Sequence, residues 1–524
     1  MKFIKIDSSP STWQPNTAYL IRDNWNDWFY WQTQFSLVYC ENATKVTGIG
    51  SVKIGQNRMK PESECINDEE KQTFNKPLIN NEFNTLDQEF FSLGQSENYY
   101  ETLNQLPKAV KREILLGLRD VAYNLRIYED HKLHPAMTNS VMRDISERHI
   151  FDALHKLAKG DISSDKYSFA YMFPYKDHQD KSVILDFSIQ PNSVPPSNIH
   201  AIIGRNGVGK TTLFAGFIKG VINQDAIPEE FAGWLLVSED GELFRKPDYF
   251  TSLTLLSYSP FDKFGPVGVN KIPTGIKYQY IGLMEKSKED ERLIPKSFDT
   301  LHNEFCTSMI QCLVGARKER WKTCLQTLEN DPLFKEVEIS KLADSNILFY
   351  DEKWKNEMHK YLNRFSSGHL VTLISITKLV EVTEDRSLTL IDEPEAHLHP
   401  PLISAYIRAV SDLMSDRNGV AIVATHSPVV LQEVRSDCAW ILNRTRRYIQ
   451  ANRPQIDTFG ENVGTLTGEV FNHEVTNTGF YKMVTDAVEK FDDFDALYNY
   501  FEEKLGAEGR ALARSLLKIK KNEG

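Results

Sequence analysis

No run of about 18 consecutive apolar residues occurs in this chain, so a membrane-spanning helix is not expected. The opening residues, MKFIKIDSSPSTW, lack an apolar core of signal-peptide length, which argues against export. Cysteine is scarce: six in 524 residues, at positions 40, 65, 306, 312, 324 and 438, with no CxxC pair. Scattered in this way, they read as reduced, mostly structural thiols of a cytoplasmic protein. Internal repeats and long low-complexity tracts are absent too, so a repeat architecture is not expected. Net positive charge is also lacking: the balance is −11, and the surface as a whole does not advertise nucleic-acid binding. Two local basic clusters, Arg317, Lys318, Arg320 and Lys322, and Arg444, Arg446 and Arg447, leave nucleic acid open as a partner. Each is either a phosphate contact or a solvated face. What is present is ordinary for a folded protein, 41% hydrophobic and 25% charged, with room for roughly two to four domains.

The text changes character along the chain. Residues 1–165 carry no recognisable motif; strand-like text at 35–40 and 50–56 gives way to a polar stretch and then to helical text from about 86. Their aromatics, Trp25, Trp28, Phe29, Tyr30 and Trp31, form either a partner-binding patch or, as aromatics more often do, a local core. From 166 the text turns strand-like. Val183, Leu185, Phe187 and Ile189 alternate as one buried face requires, and Asp240-Gly241 between two apolar runs signals a hairpin. Residues 273–362 read as mostly helical. SLTLIDEP at 387–394 and GVAIVATHSP at 419–428 are short apolar runs ending in polar residues, the look of buried parallel strands. The tail, 472–524, reads as helical. Its Phe491, Phe494, Leu497, Tyr498 and Phe501 would dock a neighbour or cover a sheet.

The chemistry begins at Gly204, Arg205, Asn206, Gly207, Val208, Gly209, Lys210 and Thr211, followed by Thr212. This fits GxxxxGK[ST] between a predicted strand and a predicted helix, the context in which the pattern cradles phosphates. Glycines let backbone N–H groups curl around a phosphate, and the helix N-terminus adds partial positive charge. Lys210 would reach the β- and γ-phosphates, and Thr211 would ligate Mg²⁺. The acidic pair Asp392 and Glu393 ends a predicted strand. Asp392 is placed to hold Mg²⁺ and Glu393 to act as general base on the attacking water. His426 ends the next strand, either to sense the γ-phosphate or as a capping or core histidine. A second small-residue loop, Ser366, Ser367, Gly368 and His369, precedes another helix and makes a second phosphate-binding surface. One site does not need two such loops, so each is expected to face ATP from a different subunit.

The order GRNGVGKT, FSSGH, LTLIDEPEAHLHP, THSP resembles the ABC-type ATPases of the non-transporter branch, which includes RecF, SMC and OLD-like proteins, and covers about 165–470. The resemblance puts Walker A on Gly204–Thr211, the signature on Ser366–His369, Walker B on Asp392 and Glu393, the D-loop near Ala396–His399 and the switch histidine on His426. It implies an α/β fold: an ABC-type P-loop head of mixed or parallel sheet with an antiparallel β subdomain and a helical lobe. To this are added an α+β N-terminal extension (1–165) and a helical C-terminal tail (472–524). The head divides into a Walker A lobe (166–272), a helical insertion (273–362) and a lobe with the remaining motifs (363–471). No glutamine marks the Q-loop; after LTLLSYS the place holds Pro260, Phe261 and Asp262, which makes Asp262 the substitute metal-side candidate.

The insertion is too short for long coiled-coil arms. No Toprim constellation and no HNH cluster is present, so the chain would need a separate effector. The resemblance is strongest to ATPase subunits of bacterial anti-phage systems such as Septu, whose partner is an HNH nuclease, sometimes beside a retron. It implies a cytoplasmic homodimer or higher even oligomer that closes around ATP and Mg²⁺, with no membrane partner. The alternatives are a RecF-like DNA repair ATPase and an ATP-gated scaffold with little turnover.

Overall fold

The computed structural model describes residues 1–524 except 11, 24, 43, 162–164, 174–181, 223–232, 240–241, 247–248, 259–275, 288–291, 346–351, 446–447, 476–478 and 524. It contains a mixed α/β head, an α+β layer before it and helices after it. The first 160 residues build a six-stranded sheet in the order Glu82–Phe83, Lys2–Ile6, Thr17–Arg22, Gln34–Asn42, Lys45–Gln56, Phe90–Gly94. Within Gln34–Asn42, Phe35, Leu37 and Tyr39 alternate inward, and the helices Glu97–Asn104 and Lys108–Gly117 cover that face with Tyr99, Tyr100, Leu103 and Leu115. The aromatic cluster divides: Tyr30 and Trp31 are core, while Trp25, Trp28 and Phe29 are exposed.

The head holds two sheets. An antiparallel one runs Glu242–Arg245, Trp234–Glu239, Tyr167–Phe173, Val183–Ile189. Val183, Leu185, Phe187 and Ile189 are its buried face. The strands on either side of Asp240-Gly241 pair antiparallel up to Glu239↔Glu242; the two turn residues themselves lie outside the described residues. The larger sheet has seven strands in the order Lys277–Gly282, Ser252–Ser257, Leu388–Asp392, Val420–Thr425, Ile199–Gly204, Ala439–Thr445, Tyr448–Asn452. All neighbours are parallel except the last pair.

Both faces of this sheet are covered, which is why its central strands read as mostly apolar runs. Ala201, Ile203, Ile391 and Val423 enter a core with the helices Phe298–Cys312, Arg317–Leu328, Ser367–Val382 and Pro400–Asp416. Ile202, Leu390 and Ile422 enter a second core with the antiparallel sheet and the helix Lys210–Ile222. The segment 273–362, read as helical, differs at its start: Lys277–Gly282 is the edge strand of the large sheet, and the helices begin at Phe298. At the C-terminal end Leu466 and Val470 join the head core. The helices Gly479–Lys490, Phe494–Tyr500 and Ala507–Glu523 close a small core of their own around Val484, Leu497 and Ala513. Phe491, Phe494 and Phe501 pack against that core, so they do not cover the sheet. Among the described residues, no helix is long and apolar enough to cross a membrane.

Candidate functional site

Register brings the site together. Asp392 pairs with Ala424, Thr425 with Ile203 and Leu442 with Gly204, so the C-terminal ends of four parallel strands lie along one edge. In open α/β sheets that edge is where ligands bind. Past Gly204 the chain turns through Gly207 and Gly209, whose φ values of +76° and +112° are ones an L side chain rarely adopts. The turn delivers Lys210 to the first position of the helix Lys210–Ile222, where unpaired N–H groups collect.

Five side chains that the sequence singled out meet here. Lys210 is buried; its Nζ donates to the Gly204 carbonyl at 3.0 Å and the Arg205 carbonyl at 3.2 Å and lies 3.5 Å from Glu393 Oε1. The Glu393 carboxylate lies 3.8 Å from His426 Nδ1. Thr211 Oγ1 donates to Asp392 Oδ2 at 3.2 Å. The paired charges set the acidities: His426, then Lys210, holds Glu393 below its ordinary value of 4.5. The Glu393 carboxylate, with Glu395 behind it, holds His426 above its ordinary 6.5. Glu393 itself sits at φ +45°, a strained backbone for glutamate, in the place where strained residues often serve function.

The second loop makes hydrogen bonds of its own. Ser366 caps the helix Ser367–Val382, accepting from the His369 amide, and its Oγ is 2.7 Å from His369 Nδ1. His369 Nε2 reaches Asp331 Oδ1 at 3.0 Å. No hydrogen bond of Ser366 or His369 goes to Lys210, Thr211 or Glu393. Gly368 is pressed against the segment after the acidic pair: a Cβ there would come 2.3 Å from the His397 carbonyl oxygen.

Two acids, Glu395 and Asp331, were not found from the sequence, and Arg444 of the second basic cluster has a place that the sequence left open. Glu395 Oε1 accepts from Thr425 Oγ1 and the His426 amide, both at 2.6 Å, and lies 3.0 Å from His426 Nδ1, so it orients that histidine. Asp331 joins His369 to His399, whose Nε2 is 3.5 Å from Asp331 Oδ2. Arg444 donates to the Gly207 carbonyl at 3.1 Å, a cation beside the phosphate loop. Asp262, Arg446 and Arg447 lie outside the described residues. In the other basic cluster, Arg320 bridges Glu101 and Asp416, and Lys322 pairs with Asp344; these two side chains are tied into ion pairs.

A doubly covered parallel sheet with a phosphate loop, a strand-end acidic pair and a strand-end histidine defines a P-loop ATPase of the ABC type. A family model described as "AAA domain, putative AbiEii toxin, Type IV TA system" matches residues 325–432, the span holding Ser366–His369, Asp392, Glu393 and His426. The chain belongs to the family of Protein ea59 of Escherichia phage lambda: the two are 35% identical over 534 residues, covering 98% of this chain and 96% of that protein. Among solved structures, the chain is similar to the ADP conformation of an ATP-binding cassette of an ABC transporter. That likeness has 15% identity, covers 60% of this chain and 98% of the other, and has a TM-score of 0.29.

Proposed function

We propose that two copies of this chain close head to tail around two molecules of ATP with Mg²⁺, hydrolyse the ATP, and pass closure and release to a separate effector protein. The observation that carries the reading is the split between the two loops. Lys210, Thr211, Asp392, Glu393 and His426 gather at one sheet edge, while Ser366, Gly368 and His369 share no hydrogen bond with them and are held by Asp331 and by the segment at His397. A second copy supplies the missing half.

The residues fit the nucleotide and its metal. Lys210 is a buried ammonium whose oxygen partners here, two carbonyls and a carboxylate, are the kind a phosphate replaces. Thr211 and Asp392 already place a hydroxyl and a carboxylate 3.2 Å apart, the donor pair expected for Mg²⁺. When bound, Mg²⁺ neutralises charge building on the phosphates. A phosphate that draws Lys210 away from Glu393 frees that carboxylate to accept a proton from water. Glu393, kept below its ordinary pKa, is ionised and ready to do so. His426, oriented by Glu395, donates toward the phosphate. From the partner copy, Ser366 and the helix N-terminus it caps close the other side.

The effector is the finer part of the proposal. The motif resemblance to anti-phage ATPases points to a nuclease as effector, and the phage origin of the ea59 relative fits conflict between mobile elements. Glu393→Gln should bind ATP, lose hydrolysis by about 10²–10⁴-fold and accumulate as a dimer that retains the effector on affinity purification. Lys210→Ala should lose nucleotide and stay monomeric. Normal turnover in Glu393→Gln would remove the base assignment, and recovery of DNA with recombination proteins would favour repair over effector control.

A further inference from the structure

Away from the phosphate loop, three buried side chains converge where the N-terminal layer meets the head. Glu97, 1% exposed, opens the helix Glu97–Asn104. Its Oε2 is taken by Arg417 and by the Asp385 amide at 2.6 Å, while its buried Oε1 has no hydrogen-bond partner. Glu384 follows the signature helix Ser367–Val382. Its Oε1 pairs with Lys277 at 2.7 Å, and its buried Oε2 again has no partner. His149 Nε2 stands 3.7 Å from Glu97 Oε1, too far for a hydrogen bond. Two orphaned carboxylate oxygens in one buried place are rare, because each has given up water with nothing in exchange.

We propose that Glu97, His149 and Glu384 bind one divalent cation of the zinc or manganese class, which fastens the N-terminal layer to the far end of the signature helix. One ligand atom from each lies within 4.8 Å of the others. An ion held at about 2.0–2.2 Å by each sets its ligand atoms roughly 3–4 Å apart, so the 3.7 Å pair already has the spacing. Imidazole with two carboxylates and no thiolate suits Zn²⁺ or Mn²⁺ and disfavours softer ions. A π-helical turn, Ile150–Leu154, follows directly; such turns gather at functional sites. His149 also lines a cavity of about 740 Å³ between the layer and the head, alongside Glu101, Asp385 and Arg417.

The cluster Asp331, His369 and His399 makes a useful contrast. There Asp331 Oδ1 accepts from the Leu333 and Phe334 amides and faces His369 Nε2, so hydrogen bonds already satisfy the group and no ion is called for.

The consequence is mechanical. Ser366 starts the signature helix and Glu384 follows its end, so an ion at Glu384 fixes a rigid element whose other end is the signature.

The test uses the full chain, stripped by chelator and kept free of nucleotide, so that no phosphate oxygens complete a metal shell at Thr211 and Asp392. ZnCl₂ or MnCl₂ alone is added, excess is removed by gel filtration, and metal content and thermal midpoint are measured. The wild type should retain about one equivalent of Zn²⁺ or Mn²⁺ per chain and gain thermal stability. His149→Ala and Glu384→Gln, folded by circular dichroism, should each lose about tenfold or more in affinity and show no thermal gain. Glu384→Gln keeps an acceptor for Lys277 and decides alone if His149→Ala does not fold. A metal-free wild type, or variants that keep wild-type metal content, overturns the site.

Discussion

At Lys210, Glu393 and His426 the charges depend on one another, and this makes the site pH-dependent in a definite sense. Glu393 has a folded pKa below 4.5, so its pairing contributes above that value and is lost as pH falls through the depressed one. His426 has a folded pKa above 6.5, so its contribution is complete below 6.5 and disappears as pH rises through the raised one. Both side chains are partly exposed, so solvent screens the effect and the energy is small. The thermal midpoints of wild type and His426→Ala, compared from pH 5.5 to 9, should converge on the alkaline side; a constant gap would mean that the ion pair does not form. Gly368→Ala should weaken the contact with the His397 carbonyl by about 1–3 kcal/mol, measured by denaturant unfolding, and should reduce ATP-dependent dimer formation. Lys210 and Glu393 were legible because their motif spacing is itself the chemistry. Asp331 and Glu395 were not: Asp331 meets His369 across 38 residues and Glu395 meets the His426 amide across 31, and no local pattern marks an acid whose partner is set by folding.

The helix Ser367–Val382 packs against several other helices of the head. Its apolar residues face the helices Phe298–Cys312, Arg317–Leu328 and Pro400–Asp416, and Trp321, fully buried, donates from Nε1 to Thr377 Oγ1 at 3.1 Å. Trp321→Ala should cost about 3–5 kcal/mol of unfolding free energy and loosen the signature loop although it lies outside that loop; a loss under about 1 kcal/mol would show that the site collapses around the gap. The parallel strands ending at Gly204, Asp392 and Thr425 were readable because both faces are buried and most of their residues are apolar. The strand Lys277–Gly282 was not. As an edge strand it leaves Gln279 exposed and Lys277 half-buried at the margin, and the mixed text resembles a helix surface.

Across the whole molecule, the N-terminal layer is held to the head by charge. Arg417, 5% exposed, pairs with Glu97 and Glu101, Arg320 pairs with Glu101, and the Arg317 amide donates to Asn98 at 2.9 Å. Arg417→Ala would leave Glu97 without a guanidinium and Glu101 with Arg320 alone in a largely buried place, and should destabilise the chain by about 3–5 kcal/mol, read from chemical unfolding; an unchanged midpoint would show that the layer is not fastened there. Partners 320 residues apart leave no trace in local sequence, which is why the text of residues 1–165 does not show what it packs against. The central claim, that each ATP is shared between two copies, is tested most directly by mixing two inactive variants. Lys210→Ala disables the phosphate loop. Ser366→Asp keeps the helix cap but sets a carboxylate against the phosphate. Mixed in equal amounts, they form mixed dimers in which one of the two sites has both halves intact, and hydrolysis should return, to at most about half the wild-type rate. If the mixture stays as inactive as either variant alone while mixed dimers form, the site is completed within one chain and the shared-site reading is wrong.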